Sequence, residues 1–226
     1  TDRCAALLVA SPANPSGTLL SYAQLTELHA LAHERGAALI VDEIYHGLTY
    51  AGDATTALAI DDDVFVINSF SKYFGMTGWR LGWLVAPESH VAALDKLAQN
   101  LFLAAPTLAQ HAALAAFTPE AEAIFEERRR IFAARRDYLL PALRELGFVI
   151  PVIPQGAFYL YADCSRFTAD SFGFCRDLLE QAGVAITPGI DFGAHRANIH
   201  VRFAYTTSIE RLQEGVARLA SYLAGR

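Results

Sequence analysis

Cysteine is scarce in this 226-residue chain: Cys4, Cys164 and Cys175 are an odd set of three with no Cys-x-x-Cys spacing. Such a set supports neither a disulfide framework nor a zinc site, and it suits a reducing compartment. A basic block is also missing. Twenty-four acidic against 18 basic side chains leave a net charge of −6, so nucleic acid finds no electrostatic footing. The longest apolar runs are strand-length, far short of the roughly 20 residues that cross a bilayer. There is no signal-peptide pattern, internal repeat or low-complexity segment. The expectation is a cytoplasmic protein without a nucleic-acid, membrane or metal partner. An initiator methionine is absent too: the chain opens on Thr1-Asp2-Arg3 and soon reaches a core-type strand, which suggests a fragment of a longer protein.

What is present is apolar. With 53% hydrophobic and 19% charged residues, the chain can build one large or two small domains around a substantial core. Ala5–Ala10, Ala37–Val41, Val64–Asn68 and Leu81–Ala86 are continuous apolar runs that read as buried strands. Between the first two, Ser21 is placed to cap a helix over Tyr22–Arg35, with Leu25, Leu28 and Leu31-Ala32 at helical spacing and Gly36 as its stop. Strand, helix, strand with apolar strands predicts an α/β fold: a mainly parallel sheet covered by helices. Helical patterns follow over Glu88–Phe102 and Thr107–Phe117, whose alanine-rich faces suggest close packing. A long helix is expected over Glu120–Leu146, with Pro141 implying a kink or break. Its charged residues, including Arg128, Arg129, Arg130, Arg135 and Arg136 beside Glu126 and Glu127, read as a solvated face.

The remainder predicts a smaller α+β domain. Phe148–Ile150, Gly156–Asp163, Val184–Ile186 and Ile199–Tyr205 read as strands. Ser171–Ala182 reads as a helix with Phe172, Leu178 and Leu179 as core candidates, and Ser208 caps a last helix over Ile209–Leu223. The expected division is residues 1–118 for the larger domain and 119–226 for the smaller.

Ligands of open α/β sheets sit at the carboxyl ends of the strands. Asn14, Asp42, Tyr45, Ser69 and Lys72 all follow the apolar runs at that end. The loop Ser69-Phe70-Ser71-Lys72-Tyr73-Phe74-Gly75-Met76-Thr77-Gly78-Trp79-Arg80-Leu81-Gly82 lies between two strands expected side by side. A lysine at the end of a core strand is costly without a partner or a task. An amine nucleophile with anion donors nearby fits a lysine forming a Schiff base with a pyridoxal cofactor. Asp42 closes an apolar strand, where a pyridinium is the partner it would want. Tyr45 and Asn14 can donate to the ring phenolate, and Ser69 and Arg80 can converge on a phosphate dianion.

These residues form spaced motifs: Ser11-Pro12-Ala13-Asn14-Pro15-Ser16-Gly17, Val41-Asp42-Glu43-Ile44-Tyr45, Ser69-Phe70-Ser71-Lys72 with Gly78-Trp79-Arg80-Leu81-Gly82, Gly156-Ala157-Phe158-Tyr159, and Val201-Arg202-Phe203-Ala204. In order and spacing the chain resembles the fold-type I pyridoxal-phosphate aminotransferases of class I/II. The resemblance implies a cofactor site of Asn14, Asp42, Tyr45, Ser69, Ser71, Lys72 and Arg80. Lys72 would form the aldimine and shuttle the proton, with Asp42 on the pyridine nitrogen and Tyr45 on the phenolate oxygen as the other catalytic groups. Arg202, with Asn14, would grip the substrate carboxylate. It further implies an amino acid and a 2-oxo acid as substrates in a ping-pong reaction, and a homodimer of the full-length protein. The family's N-terminal half is not found in this chain, so the polypeptide as given is expected to be inactive alone. Two rivals share these motifs: a pyridoxal-phosphate carbon–sulfur β-lyase, and a non-catalytic aminotransferase-like effector domain of a transcriptional regulator.

Overall fold

The computed structural model describes residues 4–52 and 54–225; the opening Thr1-Asp2-Arg3 lies outside them. The chain divides into two compact units. One takes in the stretch ending at Ala13 together with Leu19–Arg129. The other takes in Asn14–Thr18 and Arg130 onward.

The first unit is built on a four-stranded sheet of β1 (Ala6–Ala10), β2 (Ala38–Asp42), β3 (Val64–Ser69) and β4 (Gly82–Val85), in that spatial order. β1, β2 and β3 pair in parallel, and β4 runs antiparallel to β3. This is the mainly parallel α/β sheet that the apolar runs predict. α1 (Tyr22–Glu34) begins at Ser21, which forms a capping box with Gln24. It lays Leu25 and Ala32 on the sheet face carrying Leu39, Val41, Val64 and Val66, and these residues form the core of the unit. The period-two alternation of strand side chains sends Leu8, Ile67 and Leu84 to the other face, where they are 65%, 40% and 43% exposed.

α2 (Glu88–Leu101) buries none of its residues, so the close packing expected of it is not found. α3 (Thr107–Leu114) does bury Ala109 and Ala113 and ends in a 3₁₀ turn over Ala115–Phe117. Of the kink or break expected at Pro141, no break is found: α4 spans Pro119–Glu145. Proline deletes one N–H bond there, but Leu139, Leu140 and Leu143 around it are buried, and that packing holds the helix together. Nor is the arginine cluster purely a solvated face. Arg129 donates to the Thr49 carbonyl and pairs with Glu126, and Arg136 donates to the Pro154 carbonyl.

The second unit holds a three-stranded antiparallel sheet, β5 (Tyr159–Asp163), β6 (Thr187–Pro188) and β7 (His200–Ala204), ordered β5-β7-β6. Two expected strands are corrected here. Phe148–Ile150 forms only a single bridge, Val149 to Asp163, because the Arg144 guanidinium takes the Ile150 carbonyl. Val184–Ile186 is not a strand either: the Val184 N–H closes the preceding helix on Leu178, and pairing begins only at Thr187. α5 (Ser171–Asp177) continues into a wider π turn over Leu178–Ala182. Leu178 is buried as expected, but Phe172 and Leu179 are more than half exposed, and Phe174 and Cys175 take their place in the core. α6 (Ile209–Ala224) starts at Ser208, whose Oγ accepts from the Arg211 N–H.

Candidate active site

β2 ends on Asp42, and a tight turn follows. Asp42 Oδ1 accepts the Ile44 N–H at 3.0 Å, and the Glu43 N–H donates to the Ile67 carbonyl at 2.8 Å. That second bond ties the turn to the end of β3. Glu43 is buried. Its carboxylate accepts the Ala57 N–H at 2.7 Å and faces His46 Nδ1 at 3.2 Å. Burial pushes the His46 imidazole below its ordinary pKa, against the upward pull of Glu43 and the Ser11 backbone. Tyr45 is buried at the same turn, and Lys72 Nζ lies 5.8 Å from the centre of its ring.

The loop after β3 folds back on itself. The Phe70 N–H donates to the Leu81 carbonyl, the Met76 N–H to the Phe70 carbonyl and the Gly75 N–H to the Lys72 carbonyl. Phe70, Tyr73 and Phe74 pack against Trp83, Phe117 and Phe125 in an aromatic cluster that anchors one side of the loop. Tyr73 donates to Glu126 at 2.8 Å, and burial, reinforced by that carboxylate, pushes the phenol up to about 12. Gly82 sits opposite Ser69 in the register, where an added Cβ would come within 2.7 Å of the Asn68 carbonyl oxygen. Only glycine fits that approach.

The other side of the loop is polar. Ser69 Oγ accepts the Ser71 N–H and lies 2.9 Å from Ser71 Oγ and 3.0 Å from the Leu81 carbonyl. Thr77 Oγ1 donates to the Ser71 carbonyl. Arg80 is exposed, in the left-handed region at φ 54°, and donates to the Thr77 carbonyl at 3.0 Å. Ile44, Ser69, Ser71, Lys72, Thr77, Arg80, Leu81 and Gly82 line one cleft of about 400 Å³. One amine, three hydroxyls and a guanidinium around one space are a donor set suited to a phosphorylated aldehyde. Thr77 is the member that the motif reading left out, although it lies within the same loop.

Asn14 and Arg202 fall in the second unit. Arg202 projects from β7, the middle strand. Its Nη1 donates to Asn14 Oδ1 at 2.8 Å and its Nη2 to Thr187 Oγ1 at 3.2 Å. Its Cζ lies 4.1 Å from the Tyr159 ring centre and 4.7 Å from that of Phe192. So four of the eight candidates, Ser69, Ser71, Lys72 and Arg80, share one cleft of the first unit, with the centre of the Tyr45 ring 5.8 Å from Lys72 Nζ. Asp42 stands at the end of β2 in the same unit, and Asn14 and Arg202 pair on the second. Thr187 had no motif to announce it, and Phe192 had only the turn signal of Pro188-Gly189 before Phe192-Gly193. Gly17, at φ 70°, lets the Asn14–Thr18 segment approach Pro154 and Gly156, where a Cβ would clash at 2.6 and 2.7 Å.

Known proteins match this chain over nearly its whole length. The valine–pyruvate aminotransferase of Mycobacterium tuberculosis is 43% identical over 219 residues, which is 96% of this chain and 56% of that protein. The aspartate/prephenate aminotransferase of Thermus thermophilus is 37% identical over 226 residues, or 99% of this chain and 57% of that protein. A crystal structure of an aminotransferase from M. tuberculosis superposes with a TM-score of 0.92 at 42% identity, covering 97% of this chain and 57% of that one. The chain therefore spans less than two thirds of the length of the relatives it matches. Residues 1–219 fit the family described as aminotransferase class I and II, and the chain belongs to that family.

Proposed function

We propose that the complete protein is a pyridoxal-phosphate aminotransferase, moving the amino group of an L-amino acid to a 2-oxo acid. The observation that carries this reading is the shared cleft of Lys72, Ser69, Ser71, Thr77 and Arg80. Family membership supports pyridoxal phosphate as the cofactor, and the donor set fits it. When bound, that group supplies an aldehyde that condenses with amines and a ring that accepts electrons from the substrate α-carbon.

The chain's own residues divide the work. Ser69, Ser71 and Arg80 hold the phosphate dianion with hydroxyl and guanidinium donors. Asp42, fixed by the Ile44 N–H, keeps a proton on the pyridine nitrogen. Tyr45 donates to the phenolate oxygen. Lys72 would supply the amine that holds the cofactor and would move the proton at the substrate α-carbon. Arg202 binds the substrate carboxylate, with Asn14 bonded to its guanidinium. The complete protein is expected to work as a homodimer.

The test is to load the full-length protein with pyridoxal phosphate and follow its visible absorbance. Lys72→Ala should abolish the band of the lysine-bound cofactor. L-valine with pyruvate, the pair in one relative's name, is the first donor and acceptor to assay. A band unchanged in Lys72→Ala would overturn the assignment.

A further inference from the structure

Arginine carries five N–H donors. Arg202 spends one on Asn14 Oδ1 and one on Thr187 Oγ1. Its Nε is buried and has no hydrogen-bond partner. An unpaired buried donor on a cation is costly, so something else must stabilise this placement. Two aromatic rings lie beside it: Tyr159 at 4.1 Å and Phe192 at 4.7 Å from Cζ to ring centre, both well inside cation–ring range. Each terminal nitrogen keeps one N–H, the pair a carboxylate takes as a fork.

We infer that Tyr159 and Phe192 are positioning residues for substrate: they hold the Arg202 guanidinium oriented, with its Nε shielded from water, so that its two remaining terminal N–H groups meet the carboxylate. This rests on the proposed aminotransferase reading of Arg202 and extends it to two side chains outside the hydrogen-bonding set. Tyr159 comes from β5, beside Arg202's own strand, with Tyr161 the register partner of Arg202 itself. Phe192 closes the 3₁₀ turn Gly189–Phe192 and meets Tyr161 edge-on, its ring centre 5.9 Å away. The turn therefore delivers a ring to the cation without competing for its donors. Removing a ring admits water to Nε and frees the side chain's rotamers. The carboxylate then loses affinity in every state that keeps it bound, which raises KM more than it lowers kcat.

The experiment uses the full-length holoenzyme with the donor and acceptor that the wild type turns over. Phe192→Leu removes the ring, and Phe192→Tyr keeps it; Arg202→Ala is the reference for losing the carboxylate contact. Phe192→Leu should raise KM for both substrates about fivefold, the middle of the range for a cation–ring contact, with kcat within about twofold. Phe192→Tyr should restore KM to within about twofold of wild type. Calorimetry with the 2-hydroxy analogue of the accepted oxo acid should show the same weakening, and thermal midpoints confirm that each variant is folded. The inference is overturned if Phe192→Leu leaves KM unchanged while Arg202→Ala raises it, or if Leu and Tyr at 192 raise KM equally. If Phe192→Leu does not fold, Tyr159→Phe against Tyr159→Leu makes the same comparison. An unchanged KM in Arg202→Ala would instead sink the carboxylate role on which the inference rests.

Discussion

Removing the Glu43 carboxylate should destabilise the first unit more than any neighbouring surface change. Glu43 is 3% exposed, accepts the Ala57 N–H at 2.7 Å and faces His46 Nδ1 at 3.2 Å. Glu43→Ala strands both groups in a buried site. Each costs about 1–3 kcal/mol, and the two together about 3 kcal/mol. Glu43→Gln retains an oxygen for Ala57 and should cost about 1 kcal/mol. Both tryptophans, Trp79 and Trp83, lie in this unit, so their fluorescence reports its urea unfolding. The pH dependence adds a second test. Burial holds His46 below its ordinary value near 6.5, so under that pH the unfolded chain binds the extra proton. Stability is then flat above pH 6.5 and falls as the pH drops toward the folded value. Glu126 and Arg129 share a cleft with His46 and stay in place in the variants. In Glu43→Gln the carboxylate that raised His46 is gone, so the folded value drops further and the acid-side loss deepens. A Glu43→Ala protein within about 0.5 kcal/mol of wild type, the scatter of ordinary surface substitutions, would refute the reasoning. So would a shallower acid-side loss in Glu43→Gln.

Gly82→Ala should cost about 1–3 kcal/mol by overpacking, because its Cβ would meet the Asn68 carbonyl at 2.7 Å. Faster hydrogen exchange at β3 and β4, leaving α1 unchanged, is the expected readout. Cys164 and Cys175 are buried with thiols pushed up to about 12, chiefly by that burial, whereas Cys4 is exposed. A disulfide reagent at neutral pH should therefore modify one thiol quickly and all three only in denaturant.

The first unit was legible because its signals are local. Apolar runs of five or six residues gave β1 to β3, and Ser21 with Gly36 bounded α1 within a residue. Ser69, Ser71, Lys72 and Arg80 share a cleft because the one loop between β3 and β4 carries them, which chain order alone reveals. The second unit was less legible. Whether Val184–Ile186 pairs depends on a backbone bond back to Leu178, and whether Phe148–Ile150 pairs depends on a guanidinium four residues upstream of that segment. Such competitors leave no periodic trace. Nor does periodicity reveal that a π turn rotates Leu179 outward, or that Thr187 and Phe192 meet Arg202.

The Asn14–Thr18 segment belongs to the second unit, although its flanking residues belong to the first. Its Gly17 carbonyl accepts the N–H groups of Gln155 and Gly156, and Asn14 accepts from Arg202. During synthesis these five residues leave the ribosome long before their partners. The second unit thus cannot close until most of the chain has been made, and a contiguous piece beginning at Arg130 would lack one of its own walls. Any attempt to express it alone should graft the pentapeptide back, by circular permutation or as an added peptide.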